Sequence, residues 1–407
     1  MASIYADAHA TTPCDPLVVE AMLPFFTERF GNAASQQHSY GWQAHEAVET
    51  ARQHVANLVG AKLRDVVFTS GATEANNLAL RGVVDASIHG DVSAASAGAT
   101  GAMPGARPRT ADLHIVTVVT EHPAVLDPVA RLESEGVRVT RVPVQPSGLI
   151  DVGDVGRAIT PGTTLVTVMT ANNEIGVIQP IAAIATLAHA AGAFFHTDAT
   201  QAAGLLPIDM AATGIDMLSL SAHKLYGPKG VGALVVRRAS KVPLMAQQLG
   251  GGHERGLRSG TANVPGIVGF GQAARLARER RAGDAARVAP LRDRLWARLS
   301  EALDDVHLRG AMSPRLPNNL NVGIDGLTGR DLVLGLSGIA LSPGAACAST
   351  SAAPSHVLMS LGLTEAEARS SLRFGLLRTV TETEVDEIAA RVVATVAALR
   401  KQRAALP

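Results

Sequence analysis

The feature that most constrains this chain is a rhythm. Through the first two-thirds, short apolar and β-branched runs alternate with helical patterns. DVVFT at 65–69 reads as a strand, and 73–81 continues as a helix. HIVTVV at 114–119 is a second strand, followed by an apolar-periodic stretch at 124–132. TLVTVM at 164–169 and AFFHT at 193–197 bracket a helix at 181–191, and strands at 216–220 and 232–236 complete the set. Strands that are apolar almost throughout, separated by helices, predict a mainly parallel α/β sheet flanked by helices on both faces. Such folds bind ligands at the carboxyl ends of their strands. Polar residues at those ends therefore carry the interest.

Beyond about Gly266 the texture changes to helices rich in Arg, Ala and Leu, such as 289–303. Short strands near 320–322 and 371–374 and a closing helix at 382–400 follow. This predicts a large ligand-binding domain over 15–262 and a smaller α+β domain built from 1–14 and 263–407. At 407 residues, with roughly 150 per domain, two or three units are expected. Residues 90–109 (GDVSAASAGATGAMPGARPR) lack periodicity and are rich in Ala, Gly, Ser and Pro, so a flexible surface insertion is expected there.

Thirty-six basic residues balance 36 acidic ones and no long basic run appears, which argues against a nucleic-acid or membrane-surface binder. No apolar run approaches the about 18–20 residues of a membrane helix. No basic segment followed by an apolar run opens the chain, so no secretory leader is expected. Two cysteines, Cys14 and Cys347, cannot staple a fold of this size. A soluble, cytoplasmic protein with a free thiol is the expectation. Cys14 has no context beyond packing, and no metal site is expected.

Lys224 follows the strand at 216–220, between small residues and a Gly/Pro turn (SAHKLYGPKG). A single lysine is most often a solvated loop residue. A lysine at a strand end in a cleft, however, can present a partly desolvated amine to an aldehyde and form a Schiff base. Asp198 ends the neighbouring strand in HTDATQ, where a carboxylate could hold the proton of a pyridine nitrogen. TSGATEANN at 69–77 passes from strand through a Gly/Ser turn into a helix, whose first amides and hydroxyls make an anion cradle. Ser221 and His223 are placed to add donors. His122, in TEHP, is expected to end another strand, where an imidazole is placed to stack on a cofactor ring and move protons. An amine, a carboxylate and a phosphate cradle are the three demands of pyridoxal 5'-phosphate.

Nine phrases in order, YADAHATTP, FGNAAS…H, FTSGATEANN, TEHPAVL, NNEIGV, HTDATQ, SAHKLYGPKG, GGGHERGLRSGT and ACAST, together resemble the cysteine desulfurases. These are pyridoxal phosphate enzymes of the class V aminotransferase group with fold type I. The match runs from about Tyr5 to Val385. The resemblance implies that Lys224 bears the cofactor and Asp198 pairs with its ring nitrogen. Gln201 and Asn173 would bond the ring hydroxyl, and His122 would stack on the ring. Ala72, Thr73, Ser221 and His223 would hold the phosphate. Thr261 would complete the phosphate site from a neighbouring subunit, which implies a homodimer. Arg373, with Asn173, would bind the substrate carboxylate.

Cys347 lies in a small-residue stretch without helical or strand period, at the place of the family's persulfide-forming cysteine. The resemblance thus implies conversion of L-cysteine to L-alanine, with sulfur carried on Cys347 to an acceptor such as an iron–sulfur scaffold protein. Longer relatives have a C-terminal tail that helps such docking, and the sequence ends at Pro407, so scaffold docking stays open as an expectation. A selenocysteine lyase or an aminotransferase on the same scaffold is the nearest alternative, and a catalytically silent binding platform a more distant one. Fold alone does not separate them.

Overall fold

The computed structural model describes residues 3–89, 109–344 and 353–405. Apart from Arg109, the 90–109 insertion lies outside the described residues. In chain order the first strands are β1 (Ile4–Tyr5), β2 (Val66–Thr69), β3 (His114–Val118), β4 (Arg138–Val142) and β5 (Thr163–Thr167). Next come β6 (Phe194–Asp198), β7 (Met217–Ser221), β8 (Gly232–Val236), β9 (Val306–Leu308) and β10 (Asn319–Ile324). The last are β11 (Ile339–Ala340), β12 (Ser342–Pro343) and β13 (Ser371–Gly375).

A seven-stranded sheet in the order β2-β8-β7-β6-β5-β3-β4 forms the larger layer. All its neighbours pair in parallel except β8, which runs antiparallel to both β2 and β7. Successive side chains of each strand feed opposite faces. Val66, Phe68, Val166 and Leu218 join one core, whereas Val67, Leu165 and Met217 join the other. Burial on both faces is what made these strands read as continuous apolar runs. The edge strand β4, RVTRV, carries arginines and an exposed start, so it lacked that signal.

The sheet's carboxyl ends open into helix starts and turns. β2 feeds the helix Ala72–His89, and β3 leads to the helix Pro123–Ser134. Gly232 at the start of β8 passes so close to that first turn that a Cβ on it would sit 2.6 Å from the Gly71 Cα, so only glycine fits.

A four-stranded antiparallel sheet, β12-β13-β10-β9, backs a second core with the helix Glu382–Ala404, which opens on a Thr381/Glu384 capping box. The helix expected at 289–303 proves to be the end of one 39-residue helix, Val264–Ala302. Pro290 lies inside it without ending it. Its first half packs on the helix Ser39–Leu58 so closely that a Cβ on Gly271 would lie 2.4 Å from the Ala51 Cα. Its second half gives Val288, Leu295 and Leu299 to the smaller core.

The N-terminal segment links the two sheets. β1 pairs in parallel with β11, Ala8 N–H donates to the Gly375 carbonyl, and Thr12 N–H donates to the His223 carbonyl. Among the described residues no helix is long and apolar enough to cross a membrane.

Candidate active site

At the carboxyl ends of β6 and β7 lies a cleft of about 600 Å³. Ala72, Thr73, His122, Asn173, Asp198, Gln201, Ser221, His223, Lys224 and Arg373, all singled out from the sequence, line it together. Thr261 does not line it and is exposed. Cys347 lies outside the described residues. Cys14 is half-buried against the larger core, with burial pushing its thiol pKa up.

β7 ends at Ser221, and a tight turn at Ala222–Lys224 swings the lysine back over the strand ends. The Lys224 ammonium donates to the carbonyls of His9 and Ala10, the latter at 2.7 Å. At the end of β6, Asp198 is nearly buried. Its Oδ2 accepts from Asn76 Nδ2 at 2.7 Å and its Oδ1 from the Thr200 amide at 2.9 Å. Each carboxylate oxygen retains capacity for another donor, as a ring N–H requires.

His122 does not end its strand as expected. β3 stops at Val118, and His122 instead caps the helix Pro123–Ser134, its Nδ1 accepting the Ala124 amide at 3.0 Å. That bond leaves the proton of the neutral ring on Nε2. Burial, partly opposed by Asp198, holds the pKa of His122 below its ordinary value. His223 is pushed down to about 4 by burial and by Lys224 and Lys229, so it too is a neutral donor or acceptor at pH 7. Its Nδ1 lies 3.0 Å from Thr11 Oγ1.

The turn before the helix Ala72–His89 faces open space. Among the described residues beyond its chain neighbours, a Cβ built on Gly71 would meet only Ser221 Oγ, at 3.9 Å. The first amides of a helix have no intrahelical acceptor. An anion seated there would meet those amides and the Thr73 and Ser221 hydroxyls. Amine, carboxylate and open cradle thus fit the aldehyde, ring nitrogen and phosphate of pyridoxal phosphate.

Arg373, on β13, is 1% exposed. It donates to Asp7 Oδ1 at 2.8 Å and to the Asn173 carbonyl at 3.2 Å, and its buried Nε has no partner among the described residues. Ser342 Oγ braces Asp7 from the other side at 2.8 Å.

Three contributors escaped the sequence reading. Asn76 is a fully buried polar residue on an otherwise apolar helix face, the only signal that could have marked it. His9 and Asp7 lie in the N-terminal segment, and nothing local says that it returns to the strand ends. His9 Nδ1 lies 3.0 Å from Gln201 Oε1, and its carbonyl accepts from Gln201 Nε2 at 3.1 Å, so Gln201 is aligned by His9 at both ends of its amide. Burial, with Arg373, drives the pKa of His9 down to about 3.

A family model described as aminotransferase class-V matches residues 4–388. The chain is 49% identical over 398 residues to a cysteine desulfurase IscS of Anaeromyxobacter sp. (strain Fw109-5), covering 98% of this chain and 93% of the relative. Among solved structures, a "NIFS-like protein" superposes with a TM-score of 0.85 at 33% identity, covering 97% of this chain and 99% of the other. A structure titled "SspA in complex with cysteine" superposes with a TM-score of 0.77 at 35% identity, covering 92% of this chain and 99% of the other. Strand-end lysine and aspartate, phosphate cradle and whole-length likeness agree: the chain belongs to the class-V aminotransferase family and, within it, to the pyridoxal-phosphate-dependent cysteine desulfurases.

Proposed function

We propose that the chain converts L-cysteine to L-alanine and moves the sulfur onto its own Cys347, from which an acceptor takes it. The observation that carries this reading is the gathering of Lys224, Asp198, His122 and Arg373 around one cleft. When bound, pyridoxal phosphate supplies the aldehyde that captures the substrate amine and the protonated ring that draws electrons from its Cα.

The residues divide the remaining work. Asp198, fixed by Asn76 and the Thr200 amide, keeps the ring nitrogen protonated. Ala72, Thr73, Ser221 and His223 would hold the phosphate, Asn173 and Gln201 would bond the ring hydroxyl, and His122 would stack on the ring. Arg373, with Asn173, receives the substrate carboxylate on a guanidinium already oriented by Asp7. Lys224 Nζ is placed to take the Cα proton and later return one. His122, with its proton on Nε2, serves as the second carrier. The Cys347 thiolate attacks the substrate Sγ: the S–S bond forms as the C–S bond breaks. The electron pair leaves with carbon, and a proton delivered there completes alanine.

The same reading makes the enzyme a cytoplasmic homodimer in which Thr261 of one subunit completes the phosphate site of the other. Its support is the exposure of Thr261 away from the cleft of its own chain. An iron–sulfur scaffold protein is the proposed acceptor class, on the strength of the sequence resemblance.

Anaerobic incubation with L-cysteine, followed by mass spectrometry of the Cys347 peptide, tests the proposal. One added sulfur and an equal amount of alanine are expected. Cys347→Ser should abolish sulfide production while leaving the cofactor's visible absorbance intact. Undiminished turnover in that variant, or a keto-acid product, would overturn the reading.

A further inference from the structure

Beside the cleft is a second cavity of about 270 Å³, whose lining includes Arg52, Glu254 and Arg258 and which meets the cleft at Ser70 and Gly230. It is bounded by the segment GGGHERGLRSGT, residues 250–261. The chain bends there through two consecutive non-glycine residues in left-handed geometry, Glu254 at φ 48° and Arg255 at φ 58°. Such a bend persists only where surroundings over-determine it. Glu254 provides that: its carboxylate accepts from Arg52 at 2.6 and 2.9 Å and from the Phe68 amide at 3.0 Å.

So anchored, the segment delivers Arg258 to Glu74. Arg258 Nε donates to Glu74 Oε1 at 2.8 Å, and Glu74 Oε2 accepts the Ser70 amide at 2.7 Å. Burial alone would raise the pKa of Glu74, but the bonds from Arg258 and Ser70 outweigh it and hold the group ionised. Glu74 lines the cleft together with Gly71, Ala72 and Thr73. A permanent carboxylate therefore stands at the helix start that is to receive a phosphate dianion, and the two anions compete for the same dipole.

We propose that Arg258 is a positioning residue for the cofactor phosphate. By pairing with Glu74 it cancels that carboxylate's repulsion and sets the Ser70–Thr73 turn, without lining the cleft itself. The inference rests on the reading that the phosphate binds at this turn.

Titration of apoenzyme with pyridoxal phosphate, and in parallel with pyridoxal, tests it; the second probe lacks only the phosphate. Arg258→Gln should weaken pyridoxal phosphate about tenfold and leave pyridoxal unchanged. The double variant Glu74→Gln/Arg258→Gln should recover to within about threefold of wild type, because the charge needing cancellation is gone. Equal weakening of both probes, no recovery in the double variant, or wild-type affinity in Arg258→Gln would overturn the proposal. Thr73→Ala separates the two levels. If it weakens pyridoxal phosphate while Arg258→Gln does not, the inference alone falls. If Thr73→Ala leaves pyridoxal phosphate binding intact, the phosphate reading falls and the inference with it.

Discussion

Arg373 illustrates how a site residue is prepared by its neighbours. A guanidinium that is 1% exposed cannot be left without counter-charge, and Asp7 supplies it from a segment 366 positions away in the chain. The fork stays planar and aimed, with its Nε still without a partner among the described residues. A lysine would keep the charge but lose the paired donors. Arg373→Lys should therefore lower kcat/KM for L-cysteine about 100-fold, mostly through KM, as steady-state kinetics would reveal. At this scale the sequence spoke clearly where chemistry and strand ends coincide, as at Lys224 and Asp198. It was silent on His9 and Asp7, because their role exists only once the chain has folded back. Asn76 falls between: its type was unusual for a helix core, but only the fold shows that it faces Asp198.

At the scale of elements, burial on both faces made the inner strands of the larger sheet legible, and dilution of that pattern by arginine hid β4. Pro290 invited a helix boundary that the packing of both cores overrides, since each half of Val264–Ala302 has its own apolar surface to cover. Gly283 lies exposed inside that helix, and a Cβ on it would meet nothing within 4 Å among the described residues. Gly283→Ala should stabilise the protein by about 0.5–1 kcal/mol, measurable by denaturant unfolding.

The sheet also carries a polar rung beneath Asp198. His196 on β6 bonds Thr167 on β5 at 2.8 Å and Ser219 on β7 at 3.0 Å, fully buried. Burial drives its pKa down to about 4. An unfolded histidine titrates near 6.5, so this group's contribution is present above that pH and is lost as pH falls toward 4. The stability difference between wild type and His196→Asn should shrink by roughly 2 kcal/mol between pH 7 and pH 5. Comparing two variants at each pH cancels the opposing titration of Glu121, whose carboxyl burial pushes well above its ordinary range.

For the whole molecule, the proposed homodimer makes a mixing prediction. Lys224→Ala and Thr261→Ala subunits, each impaired alone, should recover desulfurase activity when dissociated and reassociated together. One of the two mixed sites would then have both residues intact. Activity no greater than the sum of the separate variants would show that Thr261 acts on its own chain or not at all.

The strap from β1 to Asp15 sets the order in which such a molecule can be completed. Ile4 and Tyr5 wait for Ile339 and Ala340, Ala8 for Gly375, and Asp7 for Arg373. Residues 4–8 are thus made long before the strands that seat them and are among the last to settle. A nascent chain halted before residue 339 would hold the strand-end lysine and aspartate, and His223 for Thr12, yet lack every partner named here for residues 4–8.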